Sequence, residues 1–273
     1  FAIEIGGQPV YLCQVAEKGS APIDLVGHGR PGHSSVPHGE NAIIDLASAL
    51  TRMQGRKLPH QPPPSVRAFF EGAAETAADE TTAVHLRACL DPDKADAALK
   101  ALDAPEATRL MLDAMLRNTC APTMLSAGLK RNVIPSDARA ALSGRPLPGE
   151  TEDGFIDQVK TLVGEDVEVE LVEPFRPGVS YDHQTPLFDA VVASTRQFEP
   201  GATVVPYMQT GGTDARFLKD FDMAIYGYIP MRYEEGMDFF ELCHGHDERV
   251  STSNVTFAVQ ILYDLILRLN GLV

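Results

Sequence analysis

Five of the eight histidines sit in glycine-rich settings: His28 and His33 in GHGRPGHSSVP, His38 in PHGEN, and His244 and His246 in CHGHDERV. Glycine lets the backbone turn sharply or approach a ligand, so these imidazoles are expected on loops rather than inside elements. The neutral rings of His244 and His246 could bind a metal, with Asp247 and Glu248 supplying hard oxygen donors or outer acceptors beside them. Neighbours this close cannot all reach one ion, and no H-x-x-x-H or H-E-x-x-H completes the set, so these residues alone describe an incomplete site. The second chemical feature is Tyr207-Met-Gln-Thr-Gly-Gly-Thr-Asp-Ala-Arg216. Exposed amides at Gly211 and Gly212, the Thr213 hydroxyl and the Arg216 guanidinium would receive a carboxylate or an oxyanion. A plain turn and helix cap explains the same residues, and the spacing is not that of a phosphate-binding P-loop.

The elements that must position these residues follow from periodicity and breakers. Strands are predicted over Pro9–Ala16 and Ile23–Gly29, with the turn Glu17–Pro22 between them. Apolar positions Ile43, Leu46, Ala47, Leu50 and Met53 predict a helix over Asn41–Met53, before a proline-rich connection at Leu58–Pro64. Helices are expected over Ser65–Ala78, Pro92–Leu102 (capped by Asp91 or Asp93) and Glu106–Met115, and strands over Thr123–Gly128 and Arg139–Ser143. Beyond Arg145-Pro-Leu-Pro-Gly149 the texture changes to alternating units. Helix Glu150–Leu162, strand Val167–Val172, helix Pro186–Phe198, strands Thr203–Pro206 and Met223–Gly227 and helix Ser253–Asn270 follow, with Gly271 as a left-handed C-terminal cap. Two textures result: an inserted α+β domain over 20–144, and an α/β domain made of 1–19 with 145–273.

Composition narrows the function classes. The 273 residues are 44 % hydrophobic, enough for a large core, and 38 acidic against 23 basic residues give a formal charge of −15. That sign opposes attraction to a polyphosphate backbone or an anionic membrane, so no nucleic-acid partner is expected. The most apolar stretch, Val259–Leu269, is interrupted by Gln260, Asp264 and Arg268, so no membrane span is expected. Cys13, Cys89, Cys120 and Cys243 show no C-x-x-C spacing, against a disulfide scaffold or a thiolate zinc site.

Taken in series, GHSSVP with the following ENAI helix, NVIP with RPLPG, GGTDAR and HGHDERV resemble the zinc-dependent exopeptidase and deacylase family that includes aminoacylase, glutamate carboxypeptidase, acetylornithine deacetylase and succinyl-diaminopimelate desuccinylase. The opening VYLCQVAEKGSAPIDL resembles the carboxypeptidase-like branch that acts on N-acyl amino acids or short peptides. The resemblance implies an α/β catalytic domain holding two zinc ions and an inserted α+β lid through which the protein forms a homodimer. It implies that His244 is a metal ligand, that Glu248 is the acid of the same motif, and that His33 is catalytic, helping to polarise the scissile carbonyl in the partner's active site. It further implies that Asn132 and Arg145 bind the substrate's carboxylate end, and that Gly211, Gly212, Thr213, Asp214 and Arg216 border the substrate pocket. Ser143-Gly144 stands where many relatives carry an acidic or branched residue before the RPLPG segment.

One departure stands out. The family's His-x-Asp pair, bridging aspartate, Glu-Glu pair and further acidic ligand lie upstream of the lid, whereas Glu4, Glu17 and Asp24 are the only acidic residues here before His28, and no histidine precedes it. The expectation is therefore a catalytic domain that lacks its metal-binding part, an N-terminally truncated chain inactive alone, and a parent that hydrolyses an amide or peptide bond of a small carboxylate-bearing substrate. The alternative is a non-catalytic dimerisation or ligand-binding module derived from such an enzyme.

Overall fold

A computed structural model describes residues 1–237, 242–243 and 245–273. Along the chain run β1 (Ala2–Ile5), β2 (Gln8–Glu17), β3 (Ala21–His28), β4 (Gly32–His33), α1 (Ala42–Met53), α2 (Pro64–Glu75), α3 (Glu80–Ala88), α4 (Ala95–Ala101) and α5 (Glu106–Met115). These are followed by β5 (Thr119–Ala127), β6 (Val133–Ile134), β7 (Asp137–Arg145), α6 (Glu152–Val163), β8 (Glu168–Leu171), β9 (Val179–Ser180), α7 (Pro186–Phe198), β10 (Thr203–Gln209), α8 (Ala215–Leu218) and α9 (Thr252–Leu269). The fold is mixed α/β and divides into two compact units.

The first unit comprises Phe1–Glu17, Pro62–Leu116 and Val179–Val273. Gly6 and Gly7, at φ +58° and +70°, make the two-residue turn that folds β1 antiparallel onto β2, a geometry that side chains with a Cβ disfavour. β10 adds parallel to the other edge of β2, with Gln209 opposite Glu17, and β9 pairs with the end of β2. Alternate β2 residues feed two clusters: Tyr11 with Phe257 and Ile261, and Cys13 and Val15 with Val191 and Leu265. Helix α9 buries Asn254, Phe257, Ile261 and Leu265, yet its outer face is also apolar, with Val255, Val259, Leu262, Tyr263 and Ile266 exposed.

The second unit comprises Lys18–Gln61 and Arg117–Gly178. Its antiparallel sheet has the order β5-β7-β3-β8, and α1 and α6 cover it. Ile23 and Leu25 of β3 and Ala138, Ala140 and Leu142 of β7 meet Leu46, Phe155 and Val159 from the helices. Glycine is required where backbones touch: a Cβ on Gly27 would lie 2.5 Å from the Ala42 carbonyl oxygen, and one on Gly144 would lie 2.3 Å from that of Ala21. A two-strand ladder, β4 with β6, extends beyond the end of the sheet.

This division differs from the one expected. Helix α6 and strand β8, read as catalytic because they continue a β/α alternation, complete a β-α-β-β-α-β unit with β3, α1, β5 and β7. The small unit therefore runs on to Gly178, and the helices of 62–116 leave it to lie with the first unit, where α2 rests on β10. Three local expectations also change. Helix α3 was not foreseen. Met223–Gly227 is not a strand, since only Gly227 bridges to Gln14. Asp91 and Asp93 do not cap α4: Asp91 Oδ1 accepts from the Asp93 amide and the helix begins after Lys94.

Candidate functional site

In the second unit the ladder beyond the sheet carries two of the expected residues. His33 lies opposite Val133, and the Ser34 amide donates to the Asn132 carbonyl at 3.1 Å, so His33 and Asn132 share one exposed tip. The ring of His33 is oriented by its own loop. The Ser35 backbone amide donates to Nδ1 at 3.2 Å, and the Ser35 hydroxyl lies 2.7 Å from the same nitrogen. A backbone N–H can only donate, so Nδ1 is the acceptor and the neutral imidazole carries its proton on Nε2. That nitrogen has no partner among the described residues. Behind the tip, both ring nitrogens of His38 are buried without a partner, and Nε2 sits where a Cβ on Gly32 would come within 3.2 Å.

Arg145 is not brought to this tip. It ends β7 beside Thr119, eight residues from Asp137, which at roughly 3.3 Å per residue is about 26 Å along the strand. Its half-buried guanidinium makes no hydrogen bond or ion pair among the described residues. Glu168 and Asp137 flank His28 at the tip end of the sheet instead, and their hydrogen bonds raise the imidazole pKa above its ordinary range, Glu168 contributing most.

In the first unit the Gly211–Arg216 loop leaves the C-terminal end of β10, beside the end of the parallel strand β2. The Gly211 and Gly212 amides have no partner among the described residues, and Arg216 stacks on Phe217 at 4.7 Å with its Nε buried and unpaired. A Cβ on Gly212 would come 3.0 Å from Arg216 Nη1. Thr213, expected as an anion donor, is turned elsewhere: its amide donates to Glu17 Oε2 at 2.7 Å and its hydroxyl donates to the same oxygen. Asp214 is exposed and makes no capping hydrogen bond; the Thr213 hydroxyl oxygen accepts from the Ala215 amide instead. Glu17 escaped sequence reasoning, because only the parallel pairing of β2 with β10 brings it to this loop.

His244 lies outside the described residues. Among those described, no three His, Cys, Asp or Glu side chains converge to hold a metal, and His246, Asp247 and Glu248 are exposed. The Cys13, Cys89 and Cys120 thiols are pushed up to about 12 by burial, which removes them as nucleophiles near neutral pH. No helix among the described residues is long and apolar enough to cross a membrane.

Comparison with known proteins adds three findings. The family described as the peptidase dimerisation domain matches residues 15–169. The N-fatty-acyl-amino acid synthase/hydrolase PM20D1 of Xenopus tropicalis is 30 % identical over 267 residues, 95 % of this chain and 49 % of the relative; that of Homo sapiens is 29 % identical over 95 % of this chain and 51 % of the relative. Probable carboxypeptidase S-like 2 of Dictyostelium discoideum is 28 % identical over 95 % of this chain and 48 % of its own. The chain thus spans about half the length of the curated relatives it matches. Among solved structures, the dipeptidase Dug1p of Saccharomyces cerevisiae (TM-score 0.57, 14 % identity, 94 % of this chain and 55 % of that one) shares the fold. So does the M20 family metallo-carboxypeptidase Sso-CP2 of Sulfolobus solfataricus (TM-score 0.54, 15 % identity, 94 % and 64 %).

Proposed function

The chain belongs to the M20 peptidase family, whose dimerisation domain it carries, and on that premise we propose that it is the lid-bearing part of a metal-dependent hydrolase cleaving an amide bond of an N-acyl amino acid or short peptide. The observation that carries this reading is the hydrogen bond from the Ser35 amide to His33 Nδ1, which leaves Nε2 to carry the proton of the neutral ring. An exposed Nε2–H, fixed by the Ser35 amide on the other nitrogen, is the donor that a carbonyl oxygen turning into an oxyanion requires. Asn132 beside it would add a second polar contact to the same substrate. The Gly211 and Gly212 amides with Arg216 would hold the substrate carboxylate, since a guanidinium matches its two oxygens. Arg145, at the end of β7 away from His33 and without an ion pair among the described residues, would serve a carboxylate contact of its own.

The reaction class calls for two zinc ions, with His244 among their ligands, to supply an activated water and a Lewis acid. The described residues do not fit such a centre by themselves, so no step of this reading runs through it. The family resemblance assigns further metal ligands to sequence before the lid, and the division of labour proposed for these 273 residues is that they hold and polarise substrate.

The family's dimerisation domain supports a homodimer, and this reading puts its contact at the edge strand β5. Its nine residues carry no charge, and Met124 (72 %) and Leu125 (67 %) are exposed, whereas the opposite edge β8 is short and guarded by Glu168 and Glu170. The second reading, a non-catalytic dimerisation module, draws on the small unit's being compact in its own right, with its own sheet and covering helices. Zinc titration of the purified chain with an assay on N-acyl amino acids and dipeptides tests the division of labour. Weak zinc uptake without turnover is expected from the chain alone; tight stoichiometric zinc with turnover would overturn it.

A further inference from the structure

Glu17 is an acid that this reading leaves without a role. It is 2 % exposed, ends β2, and makes no ion pair among the described residues. One oxygen, Oε2, accepts from the Thr213 amide at 2.7 Å, from the Thr213 hydroxyl and from Gln14 Nε2 at 3.3 Å. Gln14 is itself fixed, exchanging backbone hydrogen bonds of 2.8 and 2.9 Å with Gly227, and its Nε2 also reaches the Thr213 hydroxyl at 3.4 Å. A second tie holds the far side of the loop: the Tyr181 hydroxyl donates to the Ala215 carbonyl at 3.3 Å, and the Tyr181 amide donates to Val15 of β2 at 2.8 Å.

Burying a carboxylate away from a cation is costly, and an apolar residue would serve a strand end better if stability were its only purpose. Here the charge is spent on the loop. Charge-assisted hydrogen bonds are about twice as strong as neutral ones, and three donors on one oxygen define where Thr213 sits. With Thr213 turned to Glu17, the donors of the loop left without a partner among the described residues are the Gly211 and Gly212 amides and Arg216 Nε.

We propose that Glu17 is a positioning residue: acting through Thr213, it sets the Gly211–Arg216 loop so that its amides and guanidinium receive a substrate carboxylate. This rests on the reading of that loop given above. The test uses the full chain, with N-acetylglycine as probe, its dissociation constant read from NMR shifts of the Gly211 and Gly212 amides and folding checked by thermal unfolding. Glu17→Gln is expected to weaken binding about tenfold while the melting temperature moves little; Thr213→Val is expected to weaken it as well, and Thr213→Ser, which keeps both donors, to bind like the unsubstituted chain. If E17Q does not fold, T213V against T213S decides the matter. Equal affinity of E17Q and the unsubstituted chain, or of T213V and T213S, would overturn the role of Glu17 while leaving the carboxylate site standing. A folded, unsubstituted chain whose two glycine amides do not respond to N-acetylglycine would overturn the carboxylate site, and the role of Glu17 with it.

Discussion

The Ser35 backbone amide donates to His33 Nδ1, and this one hydrogen bond decides which ring nitrogen faces solvent with a proton. In a hydrolase bearing this lid, His33→Ala is expected to lower kcat by about 10²-fold or more, the usual cost of removing one oxyanion donor. Ser35→Ala keeps the amide and loses only the hydroxyl at 2.7 Å, so a smaller loss is expected. Nitrogen-15 shifts of the His33 ring check the tautomer directly; a proton on Nδ1 would contradict the assignment.

Much of this architecture was legible beforehand. α7 and α5 occupy the ranges that periodicity predicted, α1 ends at Met53 as predicted and starts one residue later than Asn41, and Gly271 adopts φ +65° as the C-terminal cap requires. These features depend on neighbours within one or two turns. Glu17 and Thr213 are 196 residues apart, and nothing local to either says that they meet. The unit boundary was hidden for a related reason: α6 and β8 look alike whichever sheet they join, and only the pairing of β8 with β3 assigns them. Arg145 and Asn132 share a stretch of sequence but lie toward opposite ends of one strand, because an extended strand separates its ends efficiently.

Glycine at the two backbone contacts of the small unit makes a stability prediction. Gly27→Ala would set a methyl 2.5 Å from the Ala42 carbonyl and push α1 off β3; Gly144→Ala would meet the Ala21 carbonyl at 2.3 Å and the Phe155 ring at 2.8 Å. Each is expected to cost about 1–3 kcal/mol in urea unfolding, as overpacking does. Gly39, with open space around it and an ordinary φ, is the control: Gly39→Ala should stay within about 0.5 kcal/mol.

His28 ties three strands. Nδ1 lies 3.1 Å from Asp137 of β7, and Nε2 lies 3.0 Å from Glu168 of β8. Its pKa is raised above 6.5 in the folded chain, chiefly by the Glu168 hydrogen bond, so its contribution to stability is fully present below the unfolded value and is lost as pH rises through the folded one. Asp137, lowered mainly by the Ser136 hydroxyl and then by His28, works in the opposite sense and loses its contribution as pH falls through its depressed pKa. Arg139 on β7, with Asp24 and Glu170, lies in the same charged array. His28→Gln should therefore lower the melting temperature at about pH 6 and have little effect at about pH 9, by a small amount because the pair is exposed. A difference that grows with pH would contradict the geometry.

The claim that β5 joins two copies of the lid is tested most directly by sedimentation equilibrium. The unsubstituted chain, 29.6 kDa, should sediment at about twice that mass, and Met124→Lys with Leu125→Lys should return it to 29.6 kDa with its fold intact. Val259→Lys with Ile266→Lys, on the outward apolar face of α9, should leave the dimer in place. A monomer at every concentration, or a dimer that survives the β5 substitutions and is lost with those on α9, would contradict the assignment.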